Sequence, residues 1–177
     1  MISFPILFIN LLSIIMMLIV TVSIWIIRDK NGAQQLFVTS LFMLIWSVGS
    51  LADLISIDLQ VKLIWRNITQ IGVFYTPVAS LMFAIVYTGI GNARRKFIRY
   101  ASFTFQSIGI LLVWTDGWHH LIRESVTVLK TPISESLVVE PTMLANFLIS
   151  FNILFTLIAL GLLGIYALSS VTISRKQ

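Results

Sequence analysis

The chain has 177 residues, 58% of them hydrophobic and 11% charged, with no cysteine and a net charge of +5. A soluble domain is nearer about 45–50% apolar and about 25% charged. The surplus lies here in long uncharged runs, at a mean hydropathy of +0.97, which defines an integral membrane protein with one membrane domain over 1–177. The lack of cysteine excludes disulfides, thiol catalysis and cysteine metal sites. The basic residues cluster where membrane topology needs them, so the positive charge does not point to nucleic acid.

The first apolar run, about 2–27, carries no charge before Arg28. It lacks the basic start and short apolar core of a signal peptide, so it is read as span one. Asn10 and Thr21 are isolated polar residues in it, suited to face other helices. A short basic turn follows at 28–32, and span two runs over about 33–52 with Trp46 inside it. In the segment 53–66, Asp58, Lys62 and Arg66 are spaced i, i+4, i+8 and can pair along one helical face, with Leu54, Ile57, Val61 and Ile64 on another. That pattern suits a short interfacial helix with Trp65 at headgroup level; an ordinary polar loop is the alternative.

Span three, about 67–89, is expected to be the centre of the bundle. No residue between Arg66 and Arg94 is charged, which is long enough to cross a ~30 Å hydrocarbon layer. Gly72, Thr76, Ala79 and Ser80 are small and allow close helix approach. Pro77 lies near the middle, removes one backbone donor and is expected to kink the helix, making it a candidate switch. Span four, about 100–114, is short and carries Gln106, and span five, about 143–168, carries Asn152. These two amides are expected to hydrogen-bond between helices. Ala159, Gly161 and Gly164 offer a small-residue packing surface, a spacing common in membrane helices.

Charge sets the topology. With the turns near 28–35 and 89–99 and the C-terminus on one side, that side holds eight of the twelve basic residues against Asp29 alone, and the other holds four against six acidic residues. The positive-inside rule then places the N-terminus outside and the C-terminus in the cytoplasm. The long loop 115–141 lies outside. In it Val126, Val128 and Lys130, then Leu137 and Val139, alternate around a proline-containing turn, which predicts a short extracellular β-hairpin between spans four and five. The fold expected is therefore all-α, a five-helix transmembrane bundle in the cell membrane with that hairpin across its outer mouth.

Chemistry is sparse. No nucleophile–base pair or phosphate loop is present, and the middles of the five spans carry no ionisable residue, which argues against a proton or ion path. Both histidines stand at the outer end of span four, in Trp114-Thr115-Asp116-Gly117-Trp118-His119-His120. Trp114, Asp116, Trp118, His119 and His120 are the candidate signal-binding surface. Four readings are open: a metal site needing Glu124 or Glu140 as a further ligand, a pH-sensitive polar site, a ligand pocket with aromatic walls, or an interfacial aromatic belt with structural imidazoles. No cofactor and no metal is expected.

Three segments, Ala33 to Gly49, Ile71 to Gly89 and Thr115 to Ile122, together resemble the N-terminal seven-transmembrane sensor region of bacterial and archaeal membrane histidine kinases, also found fused to cyclic-dinucleotide enzymes. The resemblance covers nearly the whole chain. By position it makes Trp46, Gly72, Pro77, Tyr87 and His120 the characteristic residues, the first four as structural or switch positions. It implies a non-enzymatic sensory input module that relays an extracellular or membrane signal to a cytoplasmic output domain. Expected partners are the lipid bilayer, a second copy or partner signalling protein, and a ligand of unspecified identity. A small transporter or channel subunit is the alternative function. Only five spans are visible where the family has seven, and no kinase domain follows, which leaves a truncated sensor, an excised piece or a stand-alone relative as readings.

Overall fold

The structure, a computed structural model, describes residues 4–30, 32–90, 92–130 and 135–174. Among them five helices are long and apolar enough to cross a membrane. These are α1 (Phe4–Ile26), α2 (Ala33–Ile55), α3 (Leu59–Thr88), α4 (Arg95–His119) and α5 (Met143–Ser174). A 3-10 turn (Asn92–Arg94) precedes α4, and two strands, β1 (Arg123–Lys130) and β2 (Glu135–Pro141), lie between α4 and α5. Successive helices alternate in direction, so one end of the bundle carries the hairpin and the other the basic turns.

The central element is α3. It packs against α2, α4 and α5, while α1 packs chiefly on α2. Close approach between α2 and α3 depends on two glycines. A Cβ built on Gly72 would lie 2.5 Å from the Phe42 carbonyl oxygen and 2.7 Å from the Trp46 backbone nitrogen, and one built on Gly49 would lie 2.6 Å from Thr69 Oγ1. Gly109 of α4 gives way in the same manner to the Phe74 ring. Gly161 and Gly164 have nothing within 4 Å of such a Cβ, so of the expected small-residue surface on α5 only Ala159 is packed.

Two apolar clusters fill the α3/α4/α5 interior. Phe74, Val113, Ile122, Ala145 and Leu148 form one beneath the hairpin, and Leu81, Met82, Ala84, Ile85 and Ala159 form the other toward the basic end. A polar layer separates them. Gln106 Nε2 donates to Asn152 Oδ1 at 2.7 Å, as expected of the two amides, and the Tyr75 hydroxyl meets Ser107 Oγ at 2.7 Å. Asn10 and Thr21, by contrast, hydrogen-bond to carbonyls of their own helix.

The separate helix expected over 53–66 is not there. Residues 53–55 finish α2, and Leu59 already belongs to α3, so span three begins about two turns before the uncharged run. The reason is local. The Asp58 carboxylate N-caps α3, accepting from the backbone N–H of Gln60 (2.9 Å) and Val61 (3.0 Å). Its Oδ1 is thereby spent on the backbone of its own helix. Both cations turn instead to Asp53: Lys62 Nζ donates to its carbonyl at 2.8 Å, and Arg66 Nε lies 3.2 Å from its Oδ2. Helix α4 likewise exceeds the expected 100–114 at both ends, because Arg95–Arg99 and the Trp114–His119 stretch continue its backbone pattern.

Strands β1 and β2 pair antiparallel as a two-stranded sheet, Val126 with Val139 and Val128 with Leu137. The proline-containing turn at 131–134 lies outside the described residues.

Candidate functional site

A cavity of about 330 Å³ lies beneath the hairpin. Its walls rise from α3 through Arg66, Gln70 and Phe74, which follow one another at i+4 and so share a face. Val113 of α4 and Ala145, Leu148 and Ile149 of α5 complete the apolar floor. Ile122, Leu137, Val139 and Pro141 come from the hairpin and its approach, and Arg123 projects from the first residue of β1.

Arg123 reaches the cavity through an irregularity in register between Arg123 and Ser125. Simple alternation from Val126 and Val128 would turn Glu124 inward and Arg123 outward. The extra residue reverses that parity, as bulges do. Glu124 is exposed, and Ser125 Oγ donates to Glu140 Oε2 at 2.7 Å on the outer face. The hairpin is held to α3 by two side chains: Arg66 Nη2 donates to the Leu137 carbonyl at 2.9 Å, and Arg123 Nη2 donates to Asn67 Oδ1. At its base Thr142 hydrogen-bonds to the Ile122 carbonyl (3.1 Å) and caps α5 through Ala145 N–H (3.2 Å).

Electrostatically, two guanidiniums line the cavity while two carboxylates stand behind them. Asp53 partners Arg66, and Asp116 Oδ2 lies 4.0 Å from Arg123 Nε. Burial pushes the Arg123 guanidinium below the usual arginine range; Asp116 opposes that, and the like charge of Arg66 adds to it. It stays charged at neutral pH.

Of the five residues singled out at the end of α4, Asp116 and His119 stay together, Oδ1 3.8 Å from Nδ1, and none of the five lines the cavity. Trp114 and Trp118 are exposed, the latter at 88%. Asp116 is buried, and its Oδ1 accepts from Ile122 N–H at 2.7 Å, which closes the turn into β1. His119 Nδ1 accepts from Leu121 N–H at 3.0 Å, and Nε2 lies 3.0 Å from Thr115 Oγ1. An accepting Nδ1 leaves the ring proton on Nε2. His120 ends α4 in the left-handed region (φ 52°) with its N–H on the Asp116 carbonyl (2.8 Å), and its side chain is exposed. The backbone reversal therefore separates two histidines that are adjacent in sequence. Among the described residues no three metal-ligating side chains come together.

Of the other four positions, Gly72 and Trp46 form the α2–α3 contact described above, and Pro77 is half-buried inside an unbroken α3. Tyr87 stacks on Phe83 and meets Tyr166 of α5 edge-on at 5.5 Å, close to Gly32 of the α1–α2 turn. It joins three elements at the basic end.

In the sequence Arg123 counts only as a charge, and Arg66 only as the end of a span and a member of the Asp58–Lys62–Arg66 spacing. The available signal was the i+4 series Arg66, Gln70, Phe74, a face passing from charged to apolar. Nothing in the sequence foretold which way Arg123 points.

A family model described as the N-terminal 7TM region of histidine kinase matches residues 9–177. The chain belongs to this family. Its members are sensory input regions, distinct from the catalytic domain, and with five membrane-competent helices this one is a multi-pass membrane protein. No curated protein and no solved structure gives a significant match.

Proposed function

We propose that this histidine-kinase 7TM region receives a signal in the cavity beneath the hairpin and relays it along α3, α4 and α5 to a cytoplasmic output domain or partner. The supporting observation is the cavity itself: a charged mouth and apolar floor built jointly from three membrane-competent helices and a hairpin roof, so that an occupant would touch α3, α4, α5 and the strands at once. The charge asymmetry supports an N-out, C-in orientation, with the basic α1–α2 and α3–α4 turns in the cytoplasm and the hairpin outside. In this reading Asp116 and His119 set the turn that delivers Arg123, while Trp114, Trp118 and His120 belong to the same receiving end as exposed side chains at headgroup level. Gly72, Trp46, Pro77 and Tyr87 lie along the route to the basic end. The chain works as one membrane domain.

The test joins the chain to a histidine-kinase output domain and measures membrane insertion and autophosphorylation separately. Ala145→Phe, which fills the cavity floor, is expected to keep insertion and to fix autophosphorylation at one level. An unchanged response with normal insertion would remove the cavity from the mechanism. Substrate flux by the purified chain in liposomes would instead favour a carrier.

A further inference from the structure

We propose that the cavity takes an amphipathic monoanion, its carboxylate held between Arg66 and Arg123 and its compact apolar body resting against Phe74, Val113, Ala145 and Leu148. The inference rests on the reading of this cavity as the signal site and names the chemistry of its occupant.

The charge follows from how loosely Arg123 is compensated. Its side chain is only 12% exposed, yet the nearest carboxylate oxygen stands 4.0 Å away, and Asp116 spends its other oxygen on the Ile122 N–H at 2.7 Å. A guanidinium withdrawn from water without a close counter-ion is costly. Arg66, itself a cation, faces the same cavity and adds repulsion. A carboxylate between the two would relieve both, and its two oxygens match the planar guanidinium fork. One negative charge suits the site better than two, because Arg66 already has Asp53 at 3.2 Å and only Arg123 lacks a close counter-ion.

Size and polarity follow from the walls. About 330 Å³ is the lower end of small-molecule pockets. It holds roughly ten heavy atoms at the ~30 Å³ each occupies in liquid water, which excludes a diacyl lipid. Below the two arginines and Gln70 the lining is apolar, so the body of the ligand is hydrocarbon.

Phenylpropionate is the probe. Its binding to the full chain in zwitterionic-lipid nanodiscs, measured by equilibrium dialysis against empty nanodiscs, is expected to saturate. The neutral isostere phenylpropanamide is expected to bind at least tenfold more weakly, since hydrogen bonds between charged groups are the stronger ones. Arg123→Gln is expected to lose tenfold or more for the acid and little for the amide, and Ala145→Phe to abolish both. Arg123→Lys, which keeps the charge and loses the fork, covers the case in which Arg123→Gln fails to fold, as judged by thermal melting. Equal binding of acid and amide, tighter binding of phenylethyl phosphate than of the acid, or full binding by folded Ala145→Phe would each overturn the proposal. Saturable binding with no effect on a fused kinase would leave the ligand class standing and remove the sensory reading; an Ala145→Phe effect on the kinase without any acid binding would do the reverse.

Discussion

A methyl group at position 72 would sit 2.5 Å from the Phe42 carbonyl oxygen and 2.7 Å from the backbone nitrogen of Trp46, atoms that cannot rotate away. Gly72→Leu must therefore push α2 from α3, at a cost of about 1–3 kcal/mol or more. Thermal melting in detergent should show the loss, while Gly161→Leu, with open space around it, should melt like the parent. A second residue-scale test concerns the amide pair. Gln106 is fully buried and Asn152 nearly so, joined at 2.7 Å. Gln106→Leu alone strands the Asn152 amide and should cost about 1–3 kcal/mol. The double change to leucine should recover part of that, giving a coupling of about 0.6–1.7 kcal/mol, the range found for such bonds in membranes. Strict additivity of the two single changes would show that the bond contributes nothing.

At the scale of the element, α3 carries both the charged mouth of the cavity and Pro77 three turns further along. Proline has no N–H, so the Val73 carbonyl loses its ordinary intrahelical partner, which lowers the resistance of α3 to bending there. Sensory relay needs an element with two arrangements. Pro77→Ala restores the missing donor and should leave insertion intact, raise thermal stability and flatten the autophosphorylation response of a fused kinase. A response of parental size would show that α3 moves as a rigid rod. The hairpin presents a second case of element-level control. Its register irregularity at Glu124, rather than any helix, determines that Arg123 faces inward.

For the whole molecule, orientation is the testable quantity, and the absence of cysteine makes the experiment clean. Trp118→Cys at the hairpin end should react with an impermeant maleimide on intact cells, since Trp118 is 88% exposed. Lys96→Cys at the opposite end should react only after permeabilisation. The inverse pattern would reverse the bundle and place the cavity on the cytoplasmic side.

Period and charge by themselves determined the number of membrane helices, the central place of span three, the close approach at Gly72, the Gln106–Asn152 bond and the two strands with their Val126, Val128, Leu137 and Val139 pattern. Each depends on local composition or on a polar group that lipid leaves no other partner. The family was legible from the segments 33–49, 71–89 and 115–122 taken together, and its model matches residues 9–177. Partner choice was not legible. Asp58, Lys62 and Arg66 have the spacing of an ion-paired face, but a free helix N-terminus took the Asp58 carboxylate and the end of α2 supplied Asp53 instead. Asp116 and His119 stay 3.8 Å apart as their i, i+3 spacing implies, but the chain reverses at His120 and leaves that side chain exposed. Arg66 and Arg123 are 57 positions apart, and only the packing of the hairpin on α3 brought two like charges to one cavity. Spacing along a helix reports which groups can meet, whereas the tertiary structure decides which unsatisfied donor or acceptor is nearest when they do.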